Sequence, residues 1–551
     1  MIRLRDKVAV IALLLLFAGM ALGTHIFEQL FPVIPLTVVA AMGVILITYY
    51  GTEKVGVPIA LICLVALVGM VWIYQFPASM LRNDPDRIAL WSQHIIDAGS
   101  VDAVRPHSSF YADAPLMLLL AALVGIVVDT TARWAFLIWP VLSTTVLPIT
   151  AAAIASRLWS DSDITVITAI LAATFTHGWM YSYGALPQTA SVYLWAGFIL
   201  VGVLLVRQAV SKPTGLAMMS LLFVGSVFAH KISVFVMVAA VGGALAVLIA
   251  LGTAGFRPGN GQPLQKTFLS LSLISAGLLV IQWEHITGYT DRAVGRILAI
   301  GSSPSGTDAP THTAAVAVNA DVLSIVSYSM HIVTGLAVGG LCWLYLARRD
   351  YFDDGVVYLL SACAVVTAMA VVAIFAPIAN GRIHFFAEPL LAVVIAAGLV
   401  AAFRRDGAIG STKTLAIVVV IGFISIQMFV APATPDYPGT STGYLTQSEV
   451  DAKLWGEQHA DLIHTDQRFE RENPPRNIEA LVYPDTYQSL GEEVLSGEIS
   501  DEYACVAYRD GSDGIHAVPD GSYQMTWDFE TAVQSEFGQV YSNSDVRQYC
   551  R

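Results

Sequence analysis

The chain has 551 residues, 56% of them hydrophobic and only 13% charged, with a mean hydropathy of +0.64. A water-soluble fold cannot bury that much apolar surface, so the composition describes a polytopic membrane protein and excludes an ordinary soluble enzyme. The net charge of −13 is unevenly placed: from Pro432 onward there are 22 acidic and 7 basic residues, against 20 acidic and 22 basic before it.

Arg3, Arg5 and Lys7 stand before an apolar run at residues 8–23. With many runs behind it, this reads as a retained first span with a cytoplasmic N-terminus. A cleaved signal peptide is the alternative, with Ala21-Leu22-Gly23 as a weak cleavage site. Residues 31–50 and 57–76 are the next two runs, which puts Lys54 inside and segment 77–113 outside. Further runs cover 114–128, 134–156, 164–181, 189–206, 216–229, 232–252, 268–283, 322–346, 355–376, 383–403 and 414–431. Simple alternation puts the basic loops at Arg207/Lys212, Arg257/Lys266, Arg348/Arg349 and Arg404/Arg405/Lys413 in the cytoplasm. The loops at 183–188, 230–231, 284–321 and 377–382, and everything past residue 431, then face outside. An odd number of crossings must separate segment 77–113 from Arg157, which reads as cytoplasmic. Run 114–128 would make only about 22 Å of helix against about 30 Å of hydrocarbon. It and the run holding Pro140 and Pro148 are therefore not read as two independent crossings, and about 13 spans are expected. The alternative is that Arg157 is misassigned.

Segment 77–113, PASMLRNDPDRIALWSQHIIDAGSVDAVRPHSSFYAD, is the first long polar interruption. Ile88, Trp91, Ile95 and Ala98 recur at helical spacing, with Arg87, Gln93, His94 and Asp97 mostly off that face and Gly99 as a stop. The pattern predicts a short amphipathic helix from Arg87, lying in the interface plane and holding Asp84 and Asp86 at the bilayer surface. As chemistry, the acid pair reads as a catalytic base, with a metal role open. As structure, it reads as a Pro-Asp turn in which Asp86 caps the helix. Asp84 is the better base of the two, because a capping carboxylate is already committed to backbone N–H groups.

His230 and Lys231 break the apolar sequence in SVFAHKISVF at the outer surface, where a cationic pair suits a phosphate. A tight turn with a snorkelling lysine is the structural alternative. Arg382, His384 and Glu388 open the run at 383–403. An ionisable group inside a span is costly, so Glu388 is either functional or held by Arg382 or His384. His177, Tyr183 and Gln188 line another outer turn with a weaker signal, and His331 reads as a hydrogen bonder inside the bundle.

Cys63, Cys342 and Cys363 sit in apolar runs and read as packing residues. Cys505 and Cys550 stand beyond residue 431, where a disulfide is open if that part is outside. No CxxC or His-rich metal spacing occurs. Residues 432–551 carry short alternating pieces, ACVAY and GQVYS, and turn signals at Arg509-Asp510-Gly511 and Asp513-Gly514. They predict a small acidic α/β or α+β domain with nothing catalytic in it, and the acid excess suits a high-salt environment. The polar candidates fall on outer loops above an apolar bundle, the pattern of an enzyme with a membrane-soluble donor. A transporter places ionisable groups nearer the midplane.

This arrangement resembles the GT-C superfamily of integral-membrane glycosyltransferases. The resemblance rests on Asp84 and Asp86 in the first large outer loop, the helix at 87–98 and the re-entry Phe110-Tyr111-Ala112-Asp113-Ala114-Pro115. The late-span start RIHFFAEPLLAVVIAAGL adds to it. Two departures are that Pro85 separates the two acids, and that Asp161 and Asp163, by falling inside, leave no clear second-loop acidic motif of metal-dependent oligosaccharyltransferases. The resemblance implies a polytopic α-helical membrane domain over 1–431 and an extracytoplasmic domain over 432–551. It implies transfer of a sugar from a polyprenyl- or dolichol-phosphate donor to a glycan or glycoprotein acceptor, with mannose the expected sugar in a halophilic archaeon. Asp84 or Asp86 would be the base. His230, Lys231 and Arg382 would hold the phosphate, and His384, Glu388, His177, Gln188 and Tyr111 would line the substrates. No cofactor is implied, a divalent metal is not favoured, and the partners are donor, acceptor and membrane lipids, not nucleic acid. A glycan or lipid transporter and a scaffold presenting residues 432–551 are the competing classes. The first would tolerate Asp84→Asn and Asp86→Asn, and the second would fail only when those residues are deleted.

Overall fold

Apolar side chains all around a helix leave it no solvated face, and such helices build the first part of the chain. They are Val33–Tyr50, Gly56–Ile73, Ile138–Leu158, Pro187–Val206, Lys212–Val227, Lys231–Thr253, Gly261–Val280, Asp354–Ile374, Asn380–Arg404 and Gly410–Val430, with the shorter Ser162–Ala172 among them. Each coincides with an apolar run of the sequence. The structure is a computed structural model and describes residues 33–73, 78–80, 83–175, 187–253, 261–286, 288, 290, 315–317, 354–374, 380–404, 410–430, 445–481, 485–509, 515–518, 521–525 and 527–551. Among these, the helices Ala132–Leu158, Gln188–Val206 and Ile383–Arg404 are long and apolar enough to cross a membrane by length and composition. The expected runs at 8–23 and 322–346, and with them His331, lie outside the described residues.

One apolar core runs through the bundle, with Trp195, Phe198, Phe268, Tyr358 and Phe386 fully enclosed. Trp195 Nε1 donates to the Phe386 carbonyl at 2.8 Å, which ties helix Pro187–Val206 to helix Asn380–Arg404 and satisfies a buried indole N–H. At the other end of these helices, Arg404 pairs with both Asp161 and Asp163. Asp163 Oδ1 also accepts the Thr52 N–H at 2.6 Å, and Asp161 caps helix Ser162–Ala172. This Asp-x-Asp pair is a clamp between loops, at the end of helix Asn380–Arg404 remote from His384.

Segment 77–113 differs from expectation in two ways. Its helix runs Asn83–Ala98, so Asp86 lies within the first turn and does not cap a helix starting at Arg87. Pro85 fits there because the first-turn N–H groups have no helical partner. Gly99 does end it, at φ +65°, with its N–H on the Ile95 carbonyl at 2.9 Å. Second, the helix is not half-immersed on one apolar face. Ile88, Trp91 and Ile95 are buried as expected, but so are Ala89, Leu90, Ser92 and Gln93, while Ala98 is exposed. The run at 114–128 forms a 13-residue helix, Leu116–Val128, short as expected, that packs along this surface helix. At Gly125 a Cβ would meet Ile96 at 2.7 Å, so glycine allows the close approach. Gln93 Oε1 accepts the Ala132 N–H at 2.9 Å and fixes the surface helix to the start of the next one.

The surface helix is covered on its remaining side by a C-terminal α/β unit. Its strands are β2 (Ile463–Thr465), β3 (Tyr487–Ser489), β4 (Cys505–Arg509), β7 (Gly538–Ser542) and β8 (Val546–Cys550), in the order β3-β2-β4-β8-β7. The pairs of β2 with β3 and β4 are parallel, and β4-β8-β7 is antiparallel. The alternating pieces ACVAY and GQVYS are thus β4 and β7 almost residue for residue. Cys505 and Cys550 face each other across β4 and β8 and form a disulfide. Helix Gln447–His459 opens with a capping box, Thr446 and Glu449 each taking the other's backbone N–H.

A second sheet joins β1 (Ala315–Ala317) to β6 (Gly521–Met525) and β5 (Ile515–Val518). Ala78 N–H donates to the Leu445 carbonyl and Leu445 N–H to Ser79 Oγ, both at 2.8 Å. The first loop and strand β1 are therefore both joined to the C-terminal unit.

Candidate functional site

Asp86 is the joint between the surface helix and the C-terminal unit. It is fully buried. Its Oδ1 accepts the Met80 N–H at 3.0 Å and its Oδ2 accepts the Asn473 N–H at 3.4 Å, from the other side of the joint. Burial pushes this carboxyl up to about 7, against the opposing pull of those N–H groups and of Arg133 and Lys453. Asp84 stands two residues earlier in the first turn of the same helix. Its side chain, like those of Lys231 and Arg382, lies outside the described residues.

Behind Asp86 the C-terminal unit holds a buried charge network that the sequence did not announce. Lys453 is fully enclosed, lies 4.9 Å over the Phe469 ring and 5.0 Å over Tyr487, and donates to the Glu470 and Glu472 carbonyls. Arg509 Nε reaches Glu449 Oε1 at 2.6 Å, with Glu472 and Asp466 at 3.6 and 4.0 Å from its other nitrogens. Burial draws Lys453 down to about 8 and pushes Glu472 well above the usual carboxylate range. Arg509 ends β4 and had been legible only as part of a turn signal.

His230 is buried at the turn before helix Lys231–Thr253. Its Nδ1 accepts the Ile232 N–H at 3.3 Å, so a neutral ring carries its proton on Nε2. Gln282 Nε2 donates to the Val227 carbonyl at 2.7 Å, and the Leu116 N–H donates to the Phe228 carbonyl at 3.0 Å. The His230 turn is thereby tied to the re-entry segment, and the two border a cavity of about 620 Å³. Asp113, Pro115, Leu119, Phe228 and Ile286 line it, and Asp113 is paired with Arg105 at 3.0 Å.

Tyr111 packs on Trp91 with ring centroids 5.2 Å apart. Gln188 is buried at the start of helix Pro187–Val206, whose Ala190 joins the apolar cluster of the surface helix. His384 and Glu388 are buried one to two turns into helix Asn380–Arg404. His177 and Tyr183 lie outside the described residues. Among the described residues, no group of three or more His, Cys, Asp or Glu side chains is arranged to hold a metal ion.

A helical bundle, a first loop folded into surface helices and a C-terminal unit docked on that loop make up a fold that the chain shares with a solved archaeal oligosaccharyltransferase. The archaeal oligosaccharyltransferase AglB from Archaeoglobus fulgidus, in complex with an inhibitory peptide and a dolichol-phosphate, is similar with a TM-score of 0.50 and 12% identity, over 89% of this chain and 74% of that one. The apo oligosaccharyltransferase of that organism has a TM-score of 0.46 and 13% identity, over 82% of this chain and only 60% of its own length. ArnT from Cupriavidus metallidurans bound to undecaprenyl phosphate has a TM-score of 0.45 and 12% identity, over 90% of this chain and 97% of that one. At such identities the likeness defines the fold alone. No protein-family model and no curated protein matches the sequence.

Proposed function

We propose that this protein is a membrane glycosyltransferase that moves a sugar, mannose in our reading, from a polyprenyl- or dolichol-phosphate donor to a glycan or glycoprotein acceptor outside the membrane. The observation that carries the reading is the joint at the surface helix. One acid of the pair, Asp86, is withdrawn to hold the C-terminal unit, and Asp84, two residues earlier in the same helix, would then be the acid that does the chemistry. Asp84 would take the proton of an acceptor hydroxyl as that oxygen attacks C1 of the sugar. The C1–O bond breaks, and the electron pair leaves with the lipid phosphate. His230, Lys231 and Arg382 would stabilise that phosphate, and the cavity at the His230 turn offers an apolar edge to the lipid. The disulfide Cys505–Cys550 supports an extracytoplasmic C-terminal unit, because such bonds persist in oxidising compartments. With β1 and Ala78 bound to that unit, the first loop would face outside too.

The test is sugar transfer from synthetic polyprenyl-phosphate-mannose in detergent, with and without a chelator. Asp84→Asn keeps the shape but is a far poorer proton acceptor, so turnover should fall by about 100- to 10,000-fold. Near-wild-type turnover in Asp84→Asn would sink the assignment, and loss on chelation would give the acids a metal role instead.

A further inference from the structure

Between the surface helix and the C-terminal unit lies a second pocket, of about 460 Å³. Arg87 and Trp91 line it from the helix, His107 from the first loop, and Glu470, Arg471 and Asp485 from the C-terminal unit. Arg87 and Arg471 are both half-buried, and among the described residues neither has an ion-pair or hydrogen-bond partner. Two guanidinium groups left unpaired in one recess are poised for an anion, and the flat fork of arginine suits a carboxylate. Trp91 is 8% exposed, and its Nε1–H has no hydrogen-bond partner among the described residues. Glu470 takes the Ser489 hydroxyl at 2.6 Å and keeps lone pairs for further donors. Arg87 and Trp91 follow Asp84 by three and seven residues, which sets all of them on one stripe of the helix.

We propose that this pocket binds the acceptor through a carboxylated sugar, a uronate. Arg87 and Arg471 hold its carboxylate, Trp91 borders its ring, and Glu470 and Asp485 accept its hydroxyls. The role as acceptor site rests on the glycosyltransferase reading above; the preference for an acidic sugar does not. The experiment is calorimetric titration of the full-length protein in detergent, without donor. The ligands are a disaccharide ending in glucuronic acid and its glucose counterpart. Each lost charge-assisted contact should weaken binding by about tenfold or more. The acidic sugar should therefore bind at least about tenfold more tightly than the neutral one. That preference should vanish in Arg471→Gln and Arg87→Gln, and persist in part in Arg471→Lys, which keeps the charge. Equal affinity for the two sugars, or a preference that survives both glutamine variants, overturns the proposal. Because no donor is present, a failure of transfer with this preference intact counts against the enzyme reading alone.

Discussion

Replacing Asp86 by asparagine tests what holds the C-terminal unit on the surface helix. On folding, burial moves this carboxyl from 3.8 to about 7. A group raised in this way favours the folded state below its unfolded value and loses that contribution as pH rises through its folded value. For Asp86 the window is pH 4 to 7, and crossing it removes about 4 kcal/mol of stability. Asparagine is neutral at every pH. It keeps an acceptor for the Met80 N–H but sets an amide group against the Asn473 N–H, a loss of about 1 kcal/mol for a 3.4 Å contact. Asp86→Asn should therefore be more stable than wild type at pH 8, by less than about 3 kcal/mol. It should be slightly less stable at pH 4, with a flatter profile between. Apparent melting temperatures at a fixed scan rate measure this, since unfolding in detergent is seldom reversible. A variant less stable than wild type at pH 8 would refute the reasoning. It would mean that Arg133 and Lys453 favour the charged form more than burial opposes it.

Replacing Cys505 and Cys550 by serine opens a loop of 45 residues, which in the chain-entropy model costs about 4 kcal/mol. Limited proteolysis of the C-terminal unit should accelerate, and unchanged cleavage would mean that the sheet holds without the bond. Arg509→Met strips the cation from buried Glu449, Asp466 and Glu472 and should cost about 3–5 kcal/mol, read as a lower melting temperature. His230→Ala should weaken binding of polyprenyl phosphate by about tenfold. Unchanged affinity in a normally inserted protein would return that histidine to a structural role at its turn.

The membrane bundle was legible because apolar runs report transfer free energy directly, residue by residue, whatever the neighbours. The alternating pieces at β4 and β7, the stop at Gly99 and the existence of the surface helix were legible for a similar reason, since period and local backbone preference are short-range. The first turn of that helix was not. Asn83 to Asp86 looks like a turn, but the chain is helical there, and the Met80 and Asn473 N–H groups both donate to the Asp86 carboxylate. Asn473 is 387 residues away in sequence, so no local pattern contains it. The same holds for the burial of Gln93, for the partnership of Arg404 with Asp161 and Asp163, and for the charges gathered around Arg509. The sequence by itself determined which segments leave water and where polar groups interrupt them. Only the tertiary structure decided that Asp86 of the Asp-Pro-Asp pair is buried and committed to the joint with the C-terminal unit. That choice depends on the dielectric and hydrogen-bond partners supplied by a distant part of the chain.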